Sequence, residues 1–218
     1  MRLVATVVVV LFLALAVPAS GGLVTSLPGG VVVSIPVVNY FGPGPQTFDG
    51  ITWTSTNSDN QGGSVFGYTG GYGFGGNGFW DGGLGPMVGL NDSSGSYEVT
   101  DTMTFTLSSP VSGIGGFLNF VPGGAGPTTI AVWDSGGNLI ESFDLTFNLG
   151  GESNNQGFFY GFLEDSAIIK SFTLTDNYVA ITNLTETGLT STPEPGSLAL
   201  IGSGLLLLGG LLRRKLGR

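Results

Sequence analysis

Thr102-Met103-Thr104-Phe105-Thr106-Leu107 alternates polar with apolar at every step, which sets Met103, Phe105 and Leu107 on one face of an extended chain and three threonines on the other. That pattern predicts a half-buried antiparallel strand. Period-two runs recur at Val31 to Val38, Thr47 to Thr56, Phe117 to Val121, Thr128 to Trp133, Leu139 to Phe147, Ile169 to Thr175 and Val179 to Thr185. Asp134-Ser135-Gly136-Gly137-Asn138 separates two of them and reads as a hairpin loop. No helical period occurs between residues 20 and 190, and no fixed repeat recurs, which disfavours a solenoid or propeller. Short strands punctuated by Gly, Pro, Asn and Asp predict an all-β domain, an antiparallel β-sandwich of the jelly-roll kind.

The two ends break this pattern. Arg2 is followed by a nearly unbroken apolar run from Leu3 to Val17, closed by Val17-Pro18-Ala19. This predicts a helical signal peptide over residues 1–19, removed by signal peptidase. At the other end Pro193-Glu194-Pro195-Gly196 precedes an uncharged stretch from Ser197 to Leu212 and then Arg213-Arg214-Lys215-Leu216-Gly217-Arg218. Sixteen residues of helix span about 24 Å, short of a hydrocarbon core of about 30 Å. Four glycines weaken the span further, as suits a retention signal that is later cut off. The basic cluster orients it, staying in the cytoplasm while the domain lies outside. The chain therefore divides into residues 1–19, a β-domain over 20–190, and a C-terminal signal over 191–218 with a transmembrane helix at about 197–212.

Pro193, Glu194 and Pro195, the hydrophobic stretch, and Arg213, Arg214 and Lys215 together resemble the PEP-CTERM sorting signal, also catalogued as an ice-binding protein C-terminal domain. The resemblance implies a Gram-negative source, an exosortase as processing partner, membrane tethering by the C-terminal helix, and then release to the cell surface or exopolysaccharide matrix. A GPI signal would not end in a basic cluster, and the Leu-Pro-x-Thr-Gly of sortase substrates is missing. Residues Asp101 to Thr185 also resemble ectodomains found upstream of this signal. The matching stretches are Thr104 to Val111, Trp133 to Leu139, Gly157 to Phe162 and Ala180 to Thr185. Many relatives close with Ile-Asp-Asn-Leu where this chain has Thr182.

Composition narrows the chemistry. The chain has no His and no Cys, so the common zinc sites, His-based catalytic triads and thiol chemistry are out of reach. Between Ser20 and Pro193 stand fourteen acids and one base, Lys170. That surface repels phosphate backbones and anionic lipid, which argues against nucleic acid as a partner. With proton transfer left to carboxylates and tyrosines, an enzyme is not expected.

Gly62 to Gly85 packs twelve glycines and six aromatic residues into 24 positions. Rings on a polar surface stack on sugar faces, so Tyr72, Phe74 and Trp80, with Asp81 for hydroxyls, are the candidate glycan site of a carbohydrate-binding alternative. The competing reading is a structural plug, since glycine lets backbone pass closely over buried rings. Asn57 and Asp59, and Asp134 with Asn138, space oxygen donors as calcium loops do. They are weak calcium candidates, because turn chemistry explains the same residues. No other cofactor is expected. Glu98/Asp101, Glu141/Asp144 and Glu164/Asp165 are the acidic pairs from which a carboxylate-only hydrolase would have to draw; solvated surface charge is the plainer account. Thr100, Thr102, Thr104 and Thr106 form a ladder, but one strand makes no array, and threonine is a good strand former on a wet face. The expected role is structural or adhesive, at the cell surface or in the matrix.

Overall fold

The computed structural model describes residues 21–70, 86–91, 101–120, 127–146 and 157–188. Both expected terminal helices and residues 71–85 lie outside these. The described residues contain no helix. In chain order the strands are β1 (Gly22–Val24), β2 (Val31–Val32), β3 (Tyr40–Phe41), β4 (Gln46–Phe48), β5 (Ile51–Ser55), β6 (Ser64–Tyr68), β7 (Met87–Asn91), β8 (Asp101–Val111), β9 (Gly113–Phe120), β10 (Thr128–Trp133), β11 (Leu139–Leu145), β12 (Phe158–Leu163), β13 (Ile169–Asp176) and β14 (Tyr178–Thr187).

They form two antiparallel sheets. The larger runs β1-β12-β9-β14-β7-β6-β3, with β2 also on β14; the smaller runs β11-β10-β13-β8-β5-β4. From β7 onward the pairing is nested: β10 pairs with β11, β9 with β12, β8 with β13 and β7 with β14, and successive pairs fall alternately in the two sheets.

Alternation decides which face each residue shows. In the smaller sheet Trp53, Phe105, Phe172 and Val132 stand in register, all fully buried. Their faces meet the larger sheet directly: Phe172 lies 6.4 Å from Phe162 and Trp53 lies 5.5 Å from Phe66, centroid to centroid. Each such side chain contributes about 1.5–3 kcal/mol by leaving water. One residue out of phase, the opposite face of the same strands carries hydroxyls in rows. One row runs Thr47, Thr52, Thr106, Ser171 and Trp133; a second runs Thr54, Thr104 and Thr173; a third runs Thr102, Thr175 and Thr129.

Two of the expected strands are corrected. Thr47 to Thr56 is not one strand but the β4–β5 hairpin, because Asp49 and Gly50 both take positive φ (41° and 77°) and make the two-residue turn that matches strand twist. Val31 to Val38 forms a ladder with the larger sheet only at Val31–Val32, with single backbone bonds from Val33 N to Leu184 O and from Val38 N to Gly67 O beyond it. Val33 and Ile35 still alternate inward and are buried, but Pro36 has no N–H to give to a ladder. Several strands lie outside the expected runs. Among them, β6 sits in the glycine-rich stretch, while β7 and β12 are mostly apolar runs without alternation.

A row across the larger sheet joins its two chain ends. Gly22, Leu163, Gly113 and Thr187 are successive register partners on β1, β12, β9 and β14. Three strand spacings, about 14 Å, separate the first from the last.

Candidate functional site

The sorting residues Pro193, Glu194, Pro195, Arg213, Arg214 and Lys215 lie outside the described residues, but their point of attachment does not. The backbone N–H of Ser112 donates to Thr187 O at 2.9 Å, and its hydroxyl lies 3.0 Å from both Thr187 O and Gly188 O. The end of β14 is thus fastened to the β8–β9 corner just ahead of the tail. The buried serine adds a side-chain donor to carbonyls that also accept from Ser112 N and from the Thr187 hydroxyl.

Of the glycan candidates, Tyr72, Phe74, Trp80 and Asp81 also lie outside the described residues. Two rings of the same stretch are described. Phe66 is buried in the core, 5.1 Å from Phe48 and 5.5 Å from Trp53. Tyr68 is half-buried, edge-on to Phe41 at 5.4 Å. Between them Gly67 takes φ +62°, and a Cβ there would stand 2.1 Å from Pro36 O. Glycine at this position is therefore a requirement of close backbone approach.

The calcium candidates serve their own turns. Asn57 Oδ1 accepts from Asp59 N at 2.9 Å and Asp59 Oδ1 from Gln61 N at 2.8 Å, two successive Asx turns. Asp134 Oδ1 accepts from the N–H groups of Gly136 and Asn138, each at 2.8 Å, and its Oδ2 from Asn138 Nδ2 at 2.9 Å. The Asn138 side-chain and backbone donors, followed by the turn amides, hold the Asp134 carboxyl below its ordinary range. No group of three acidic residues able to hold a metal occurs among the described residues.

The acids regroup relative to their sequence spacing. Glu141 stands opposite buried Val132, whereas Asp144 stands opposite Thr129 on the other face and accepts from its hydroxyl at 2.7 Å. Glu141 lies instead near Glu164 across the sheets. Glu164 is pushed up by burial first, then by Glu141 and Asp165; Glu141 is pushed up by burial. Asp101 accepts from the Thr56 hydroxyl at 2.8 Å, and its sequence partner Glu98 is outside the described residues. Glu186 is raised by burial and by nearby Asp49.

One acid escaped the sequence reading. Asp176, at the β13–β14 corner, is 2% exposed. The Thr128 hydroxyl donates to its Oδ2 and Asn177 N to its Oδ1. Burial outweighs these bonds and raises it to about 6. The available signal was the Asp176-Asn177 pair in the gap between two strand runs. A shallow groove of about 200 Å³ lies between Val32–Ile35 and Pro86, Thr182 and Asn183. Thr182 donates to Pro86 O at 3.0 Å, closing a contact between β14 and the backbone just ahead of β7.

No curated protein and no solved structure matches the chain. Over residues 191–215 it matches the family model of the PEP-CTERM protein-sorting motif, which marks a chain for export and for processing by exosortase.

Proposed function

We propose that this chain is a structural, adhesive protein of the cell surface or exopolysaccharide matrix, its domain a jelly-roll β-sandwich delivered by the C-terminal signal. The observation that carries the reading is the sorting motif at residues 191–215, joined almost directly to the last strand of an all-β domain. The nested pairing of β7 through β14 supports the jelly-roll assignment, since two Greek keys folded together generate that order. Engagement of Asn57, Asp59, Asp134 and Asn138 in turns supports a role without a bound cation. Carbohydrate binding through Tyr72, Phe74, Trp80 and Asp81 is the competing reading. Burial of Phe66 in the core supports a structural use for at least part of that stretch. Fractionation of the producing cells with intact-mass measurement tests the proposal: the protein is expected in the surface or matrix fraction, lacking Ser197 to Arg218. Recovery from that fraction with its full C-terminus overturns the processing step, and absence from the fraction overturns the role.

A further inference from the structure

The solvent face of the smaller sheet is a two-dimensional array. Register between β5, β8 and β13 aligns Thr52 with Thr106 and Ser171, and Thr54 with Thr104 and Thr173. Neighbouring hydroxyl residues are about 4.8 Å apart across strands and about 6.7 Å apart along them. None of these six is charged, in a domain where acids outnumber bases fourteen to one; the charges nearest them, Asp144 on the Thr129 hydroxyl and Lys170 on Ser108 O, flank the grid. An uncharged grid of donors and acceptors suits an uncharged ligand rich in hydroxyls, and its repeat in two directions suits a ligand that itself repeats.

We propose that this face binds a neutral polysaccharide chain lying across the strands along a threonine row. Sheet twist of about 20–25° per strand fans the rows, so a rigid plane such as ice meets only part of the face, whereas a polymer can follow one row. The row through Thr52, Thr106 and Ser171 continues to Trp133 and then to exposed Leu139 on the edge strand. The Trp133 Nε1 donates to Thr173 Oγ1 at 3.1 Å, holding the half-buried indole over the β10 side of the grid, where its ring can meet the face of a sugar. The site needs no residue of the glycine-rich stretch. It rests on the matrix reading above only for the supply of ligand.

Strand propensity alone also accounts for threonine here, and the test separates the two uses. The surface protein and its Thr54→Val/Thr104→Val/Thr106→Val variant are co-sedimented with deproteinised exopolysaccharide from the same cells and with swollen cellulose. Valine keeps the β-branch and removes only the hydroxyl. Retention of the wild type is expected at low and high salt, with about tenfold or greater weakening in the variant and an unchanged melting temperature. Thr106→Lys, a single exposed change, is expected to weaken retention likewise should the triple variant fail to fold. Equal retention of variant and wild type, no retention of the wild type on either polysaccharide, or partition into growing ice in their place overturns the proposal. Cell fractionation reads export separately: surface protein that is not retained overturns this inference alone, and protein left in the cytoplasm overturns the export reading beneath it.

Discussion

Asp176 gives the domain a pH dependence opposite to ordinary acid denaturation. Its carboxyl is raised from 3.8 to about 6 by burial, against the opposing bonds from Thr128 and the Asn177 and Tyr178 amides. Below the unfolded value both states hold the proton and nothing is lost. As pH rises from 3.8 through 6, the unfolded chain ionises while the folded one resists, and above that range the full penalty applies. A difference of about two units corresponds to about 3 kcal/mol. Stability is therefore expected to increase from pH 7.5 to pH 4.5. Glu141, Glu164 and Glu186, raised as well, push in the same direction. Asp176→Asn removes the charge and keeps the bonding: its oxygen accepts from Asn177 N and its amide donates to the Thr128 hydroxyl. At pH 7.5 this variant is expected to be more stable than the wild type by up to about 3 kcal/mol, with a flatter pH profile. Urea unfolding midpoints measured at half-unit pH steps provide the assay. A wild type that weakens steadily from pH 7 to pH 5, or an Asn variant that unfolds earlier at pH 7.5, would refute the reasoning.

Phe105→Asp is expected to cost several kcal/mol, since Phe105 is fully buried and stacks on Phe172 at 6.3 Å. Thr104→Asp, on the opposite face, should cost far less in the same denaturation assay. Trp80→Ala separates the two uses of the aromatic stretch: an exposed platform predicts lost glycan binding at an unchanged melting temperature, and a plug predicts a loss of about 3–5 kcal/mol. Calcium in millimolar excess, or its removal by chelator, is expected to leave the melting temperature unchanged by calorimetry, because both Asx-rich turns close on their own amides.

Local alternation carries half of this fold and none of its register. The two faces of β8 were legible because Met103, Phe105 and Leu107 alternate with threonine, and those three are buried. The strand β7 was not, because a mostly apolar run has no period by which to recognise a strand, and β12 was legible only as the generic β composition of Gly157 to Phe162. Asp49-Gly50 is a hairpin signal inside the Thr47 to Thr56 run, and the apolar phase changes across it, from Phe48 to Ile51 and Trp53. The threonine ladder on β8 was visible as a wet face, yet its extension into an array depends on β5 and β13, about 50 and 70 residues away in sequence. The nearness of Glu164 to Glu141, in place of Asp144, has the same origin. Burial of Asp176 follows from the corner that joins two sheets; the Asp176-Asn177 pair marks the turn in sequence but not its depth.

The strand that precedes the tail is also an inner strand of the larger sheet. β14 pairs with β9 on one side and with β7 and β2 on the other, so this sheet has a gap at its centre until Thr187 is delivered. Strands β7 and β9 precede in sequence, by tens of residues, the partner that joins them. Loop closure on that scale is slow compared with local pairing. Order, then, is built into the topology: the larger sheet closes only when its last strand in sequence is in place.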